Sequence, residues 1–141
     1  MPTSFHVEVV TPDRTEFSGD AISLVAPGVE GYLGVLAFHA PLLTALAVGE
    51  ARVTQPDGSS IYFAVSGGFL EVAYNNAILL ADAAERADEI DVARAEAARR
   101  RAEEARTQHP STDPAFAAAE AALLRALTRL RVAREHAVPP E

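Results

Sequence analysis

The amino-acid sequence predicts a β-sandwich, or flattened barrel, followed by a C-terminal α-helical hairpin. Two observations predict this fold class. Short apolar segments separated by turn residues continue to about residue 84, and many short strands at this spacing are typical of sandwiches and barrels. After Leu80 the apolar period changes from two to about 3.6 residues, which indicates helices. We therefore expect two domains, residues 1–84 and residues 85–141.

The N-terminal domain begins with a strand whose two faces differ. Phe5, Val7 and Val9 alternate with polar residues, which places three apolar side chains on one face. Later turns are marked by Pro-Asp-Gly at residues 56–58 and by Asn-Asn at residues 75–76, which supply the backbone angles of tight hairpins. Further strands are predicted at Ala21–Ala26, Leu42–Val48, Ala51–Thr54, Ile61–Val65, Phe69–Ala73 and Ile78–Ala81.

The first helix of the hairpin is predicted to begin at Asp88, whose side chain can cap the first turn. Glu89 and Asp91 follow within that turn, where negative charge suits the helix dipole. An alanine-rich stretch then carries the helix to about Gln108.

The second helix is predicted to start near Asp113, with Pro114 at the first helical position. Its apolar residues recur at steps of three and four, as in a helix that packs along a partner. They are Phe116, Ala119, Leu123, Ala126, Leu130 and Ala133. Because the facing side of the first helix is mostly alanine, packing buries little apolar area. We expect the hairpin to be held weakly and to be able to detach.

Composition excludes several functional classes. The net charge of −8 argues against binding to nucleic acid, which needs a basic face. The chain has no Cys and all twelve basic residues are Arg, so thiol chemistry, a P-loop lysine and a Schiff-base lysine are excluded. Residues 1–84 carry nine acidic residues against two arginines, whereas residues 85–141 carry eleven against ten. No targeting segment and no apolar run of about 20 residues is present, so we predict a soluble chain on the cytosolic side without membrane insertion.

Other motifs carry no chemistry. The glycines at residues 28, 31 and 34 are predicted to be turn residues, because neither a lysine nor a helix follows them. Ser66 lacks the glycine two residues earlier that a nucleophile elbow needs. The four histidines share no metal-ligand spacing. We therefore predict neither a catalytic residue nor a metal site.

Several longer runs occur in a characteristic order. They are VVTPDR at residues 9–14, PGVEGYLGVLAFHAPLL at 27–43, VSGGFLEV at 65–72, LADAAERADEIDVARA at 80–95 and RALTRLRVA at 125–133. Together they resemble the epsilon subunit of bacterial F-type ATP synthase over nearly the whole chain. One difference is Ala37-Phe38, where that family usually has Pro-Gly before the histidine that is His39 here.

The resemblance implies a sandwich of about ten strands and a helical hairpin, carried on the central stalk of a rotary enzyme. Its partners would be the gamma subunit, the ring of membrane c subunits and, when the hairpin extends, the catalytic alpha/beta head. The subunit would couple proton-driven rotation to ATP synthesis without catalysis or a required cofactor, and the extended hairpin would obstruct ATP hydrolysis. It would lie peripherally on the cytoplasmic side of the cell membrane, with His39, Pro41 and Leu42 in the stalk interface.

The resemblance also implies ATP as a regulatory ligand, through a motif that stands here as Ile90-Asp91-Val92-Ala93-Arg94-Ala95. Arg94 and Arg101 are two turns apart on one face of a helix, so a folded hairpin can converge several guanidiniums on a triphosphate. The matched positions are Glu85, Ile90, Asp91, Arg94, Ala95, Arg101, Arg125 and Arg129.

Alternative interpretations remain open from the sequence. The arginines can instead form solvated ion pairs with Glu96, Glu103 and Glu104. The arginines from Arg125 to Arg134 can also be a solvated face, although the resemblance implies contacts with acidic residues of the catalytic subunits. For the whole chain, the alternatives are an enzyme, for which a nucleophile or base pair is lacking, and a free-standing nucleotide-sensing adaptor.

Overall fold

The computed structural model describes residues 3–136 and contains eight strands and two helices in that range. The strands are β1 Phe5–Val10, β2 Thr15–Ala21, β3 Ser23–Gly28, β4 Gly31–Val35, β5 Leu42–Thr54, β6 Ser60–Ala73, β7 Asn76–Ala81 and β8 Ala84–Arg86. A 3₁₀ turn follows at Ala87–Glu89, and the helices are α1 Val92–Thr107 and α2 Pro114–Glu135. Neither helix is long and apolar enough to cross a bilayer.

The strands form one open sheet that folds into a sandwich. Their order is β2-β1-β7-β6-β5-β3-β4, and β8 also pairs with β6. All pairings are antiparallel except that of β1 with β7. The long strand β6 pairs with β7 over residues 68–73 and with β8 over residues 63–65, so its two halves have different neighbours. This is how a single sheet supplies both layers.

The eight described strands are fewer than the ten or so that the resemblance implied. The two strands predicted at Leu42–Val48 and Ala51–Thr54 are the single strand β5, and those predicted at Ile61–Val65 and Phe69–Ala73 are the single strand β6. In each case the backbone bends without losing its hydrogen-bonded partner strand. Gly68 has φ +112° and Gly67 has φ +74°, yet β5 and β6 pair on both sides of this bend. Three other strands, β2, β4 and β8, were not predicted from the sequence. β2 is an edge strand whose one buried residue is Ala21, so it lacks an apolar alternation.

The sandwich encloses an apolar core that begins with β1. Phe5, Val7 and Val9 are at most 3% exposed, which confirms the predicted inward face. Phe63 on β6 is fully buried, and its ring meets the edge of the Phe17 ring at a centroid distance of 6.5 Å. These side chains belong to a core cluster that draws on strands from β1 to β7 and on Ala84 of β8.

Helix α1 begins three residues later than predicted. Asp91, not Asp88, is the N-cap, and its Oδ1 accepts a hydrogen bond from the Arg94 amide at 3.1 Å. Asp88 and Glu89 lie instead in the 3₁₀ turn that precedes the helix. The prediction of Asp88 was wrong because Asp88 and Asp91 are both capable of capping and stand one helical turn apart, and the sequence alone does not decide which one caps.

Helix α2 begins as predicted. Asp113 is the N-cap, its Oδ1 accepts from the Ala115 amide at 2.9 Å, and Pro114 is the first helical residue. The predicted apolar stripe is buried from Ala119 to Ala133, whereas Phe116 is half-buried. On α1, Ala95 and Ala102 are the buried residues. The pairing of a leucine-containing stripe with alanines agrees with the predicted close but shallow packing of the hairpin.

The chain divides between Arg86 and Ala87 into two compact units, the sandwich and the hairpin. Strand β8 pairs with β6 through Arg86 and buries Ala84. We therefore expect a chain truncated after Arg86 to melt cooperatively with a β-type circular dichroism spectrum. A chain truncated after Asp82 is the matched control, and its melting temperature should be lower because β8 is missing. A broad, non-cooperative melt of the longer fragment would show that the sandwich core needs the hairpin.

Candidate functional site

Four predicted ATP ligands lie along one edge of the hairpin, which we call the arginine edge: Arg94, Arg101, Arg125 and Arg129. Each of these arginines directly precedes a buried residue of its helix, namely Ala95, Ala102, Ala126 or Leu130. One residue is about 100° of rotation in an α-helix, so all four project to the same side of the inward-facing stripe. Residues 108–113 form a short connection, so the helices run antiparallel.

An interhelical salt bridge shows which edges of the two helices meet. Glu96 directly follows the buried Ala95, and Arg134 directly follows the buried Ala133. Arg134 Nη2 donates to Glu96 Oε1 at 2.6 Å. Residues that follow inward positions therefore share one edge, and residues that precede them share the other. The fold thus brings the four arginines to a common edge.

Three of the four residues of the arginine edge are open to solvent. Arg94, Arg101 and Arg125 are exposed and Arg129 is half-buried. Within residues 3–136, the guanidiniums of Arg94, Arg101 and Arg125 form no salt bridge. Three cationic groups on one exposed edge are suited to a multiply charged anion such as a triphosphate.

The remaining predicted ligands have different positions. Asp91 caps α1, so one carboxylate oxygen is already engaged by the Arg94 amide. Ile90 and Ala95 are buried, which gives them a packing role. Glu85 lies in β8 of the sandwich, where it pairs with Ala64 of β6. The structure therefore groups the four arginines on the hairpin and places Glu85 in the other unit.

The opposite edge of the hairpin carries an ion-pair cluster, which we call the latch: Glu96, Arg99, Glu103 and Arg134. Arg99 Nε donates to Glu96 Oε2 at 3.0 Å, and Arg99 Nη1 donates to Glu103 Oε1 at 2.9 Å. A groove of about 550 Å³ runs beside the latch, over Leu127 and Leu130. Of the acidic residues that the sequence offered as partners for the candidate arginines, Glu96 and Glu103 are thus bound within the latch, whereas Glu104 is exposed and lies outside it. The contacts of Arg99 follow helical spacing, but that of Arg134 could not be found from the sequence.

The latch makes hairpin stability depend on pH. Hydrogen bonding from Arg99, together with the charges of Arg99 and Arg134, lowers the pKa of Glu96 below its ordinary value. A lowered pKa in the folded state stabilises the fold above the unfolded pKa of about 4.3, and this contribution is lost as the pH falls through the folded pKa.

We expect Glu96→Gln to increase amide hydrogen exchange in α1 and α2 at pH 7 relative to the unmodified chain. The difference should shrink as the pH falls below the ordinary glutamate range, because Glu96 is then protonated in both states of the unmodified chain. Exchange is compared at each pH, so that intrinsic rates cancel. Glu104→Gln is the control, since Glu104 is exposed and outside the latch. A difference that is constant with pH would contradict the role of the Glu96 charge.

The predicted stalk-interface residues lie at one end of the sandwich, in the loop between β4 and β5. His39 is half-buried, Pro41 is exposed, and Leu42 opens β5 opposite Val72. His39 Nδ1 donates to the Ala40 carbonyl at 2.6 Å, since a carbonyl oxygen can only accept. This hydrogen bond lies within the loop itself.

Phe38 has a backbone conformation that favours glycine. Its φ is +63°, in the left-handed region that glycine adopts without strain. The Phe38 amide donates to Asn75 Oδ1 at 2.8 Å, and Asn75 Nδ2 donates to the Ser4 carbonyl at 3.1 Å. Asn75 therefore fixes the loop to the β6–β7 turn and to the start of β1. These contacts were missed from the sequence because they join residues far apart in the chain.

Comparison with known proteins places the chain in a family. The β-sandwich domain of the ATP synthase delta/epsilon chain matches residues 4–87, and the long α-helix domain of that chain matches residues 88–134. An ATP synthase epsilon chain of Moorella thermoacetica is 47% identical over 92% of this chain and 96% of its own length. One of Pelotomaculum thermopropionicum is 60% identical over 70% of this chain and 72% of its own length.

A solved structure has the same fold. A chain in the mitochondrial ATP synthase OSCP/F1/c-ring assembly of Euglena gracilis superimposes with a TM-score of 0.79 at 22% identity, over 96% of this chain and 84% of that one. The family matches together span residues 4–134, and the Moorella relative is similar over nearly the whole length. The chain belongs to the epsilon-chain family of ATP synthases.

Proposed function

We propose that the chain is the central-stalk epsilon subunit of a rotary F-type ATP synthase. In this role the sandwich holds the gamma subunit and the ring of c subunits, and it helps couple proton-driven rotation to ATP synthesis. The subunit is peripheral to the cell membrane on its cytoplasmic side and does no chemistry itself. Bacterial relatives named ATP synthase epsilon chain and the fold shared with a chain of an F1/c-ring assembly support this assignment.

The division into two compact units, of which the sandwich encloses its own apolar core, is the observation that carries this proposal. A sandwich that closes its own core can keep a stalk contact while the hairpin changes its position. The hairpin is held internally by alanine packing and by the partly exposed latch, and such contacts open at low free energy. On opening, α2 presents a row of arginines to the catalytic head, where acidic residues would bind them and obstruct rotation in the hydrolysis direction.

ATP binding to the arginine edge would oppose that opening. The site exists only while α1 and α2 are together, because each helix supplies two of the four arginines. A ligand shifts a conformational equilibrium only by its difference in affinity for the two states. ATP would therefore favour the folded hairpin and release the enzyme from inhibition.

Rebinding to the enzyme tests the stalk assignment. ATP synthase from the same source is stripped of this subunit, and the full chain is added back. We expect stoichiometric rebinding and recovery of proton-driven ATP synthesis. A chain that binds ATP in isolation but never rebinds the stripped enzyme would instead be a free-standing nucleotide sensor.

A further inference from the structure

Backbone strain is concentrated at one end of the sandwich. Among residues 3–136, three non-glycine residues have positive φ: Phe38 at 63°, Tyr74 at 51° and Asn75 at 59°. Asparagine tolerates this conformation, whereas it is unusual for a large aromatic residue. The three residues belong to two loops that are joined by the hydrogen bond from the Phe38 amide to Asn75 Oδ1. Two strained aromatics therefore lie beside each other in the fold.

These aromatics point into solvent. Tyr74 is 96% exposed and Phe38 is 75% exposed. Leu36, in the loop of Phe38, and Leu43, the second residue of β5, are 63% and 70% exposed. We call these four residues the aromatic end. Strained residues persist where surrounding contacts over-determine them, and such positions cluster at functional sites. Glycine at residues 38 and 74 would avoid this backbone strain, so the stability of the sandwich does not account for the two aromatic residues.

We propose that Phe38 and Tyr74 are the anchor residues with which the sandwich docks on the neighbouring stalk subunit, and that they enter an apolar pocket with a basic rim. This inference rests on the proposed function, because Phe38 lies in the loop that carries His39 and Pro41. Exposed aromatics at the centre of an interface commonly dominate its binding energy.

The charge of the sandwich decides between a protein partner and a lipid surface. Residues 1–84 carry a net charge of −7, from nine acidic residues and two arginines. An anionic bilayer would repel such a domain. A protein pocket with basic side chains around it would attract the same charge and bury the aromatic rings at its centre.

Replacement of each aromatic by glycine separates strain from binding. Phe38→Gly and Tyr74→Gly remove the ring and also relieve the positive φ. The melting temperature of the full chain should therefore stay the same or rise. The dissociation constant of the labelled full chain for the stripped ATP synthase should increase about tenfold to thirtyfold for each variant, as for a hot-spot residue. The opposite signs of these two effects are the signature of an anchor.

Phe69→Ala is the matched control, since Phe69 is 54% exposed on β6 but lies outside the aromatic end. An equal loss of affinity in this variant would overturn the proposal. So would glycine variants that bind like the unmodified chain, or whose melting temperature falls along with their affinity. If the unmodified chain does not bind the stripped enzyme at all, the proposed function fails as well. Ring-dependent binding to phosphatidylglycerol vesicles would show that the aromatic end meets a bilayer instead.

Discussion

Arg94→Ala is expected to weaken ATP binding to the isolated full chain by about tenfold to a hundredfold, since one charged hydrogen bond contributes about 1.5 to 3 kcal/mol. Arg129→Ala should act similarly from the second helix. Both variants should lose most of the thermal stabilisation that millimolar ATP gives to the unmodified chain. The reason is that the four arginines lie along one edge of the hairpin, and the proposed ATP site uses all of them. Isothermal titration and thermal melts with and without ATP measure both effects.

The control variant for this prediction has to leave the latch intact. Arg134 lies outside the arginine edge, but it holds α1 to α2 through Glu96, so its replacement would itself loosen the hairpin. Arg131 is exposed, lies outside both clusters and leaves the latch intact. Arg131→Ala should bind ATP like the unmodified chain. Equal losses in Arg94→Ala and Arg131→Ala would indicate diffuse electrostatic attraction, and no stabilisation of the unmodified chain would remove the sensor role.

Gly68→Ala is expected to lower the free energy of unfolding by about 3 to 5 kcal/mol, through strained backbone and overpacking together. A Cβ at residue 68 would lie 2.1 Å from the Leu80 carbonyl oxygen, and φ is +112°. A shift of β6 that relieved this clash would disrupt either its pairing with β7 or its bend at residue 68. A small domain has only about 5 to 15 kcal/mol of stability, so this variant should be close to unfolding. Urea denaturation followed by circular dichroism measures the loss.

Substitutions at two other glycines distinguish the effect of backbone strain from that of overpacking. Gly58 has φ +91° but open space around its Cα, so Gly58→Ala should show the backbone strain alone, about 1 kcal/mol. Gly34 has neither a positive φ nor a close neighbour, so Gly34→Ala should be nearly neutral. A loss in Gly68→Ala no larger than that in Gly58→Ala would show that the close approach to β7 is unimportant.

The sequence predicts those parts of the fold that depend on local patterns. The alternation of Phe5, Val7 and Val9 identifies the buried face of β1, because a period of two has one structural solution in a sheet. Asp113 and Pro114 mark the start of α2, because a cap and a proline act on the adjacent turn. The family is identified by runs of residues that keep their order along the chain.

The features that the sequence does not predict depend on contacts between distant residues. Two glycines at 67–68 indicate a turn, but pairing with β5 and β7 carries the strand through them. The common edge of the arginines is predicted only in part. Spacing places Arg94 above Arg101, whereas their grouping with Arg125 and Arg129 follows from the Glu96–Arg134 contact. The aromatic end escapes prediction because neither Phe38 nor Tyr74 is a residue type that indicates a left-handed turn.

The central claim is that the hairpin restrains ATP hydrolysis by a rotary ATP synthase, whereas the sandwich alone is sufficient to couple rotation to ATP synthesis. The most direct test is the ATP hydrolysis rate of the assembled enzyme when it carries the chain truncated after Arg86 in place of the full chain. We expect hydrolysis to rise several-fold while proton-driven ATP synthesis continues. Unchanged hydrolysis at full occupancy of the truncated subunit would contradict the claim.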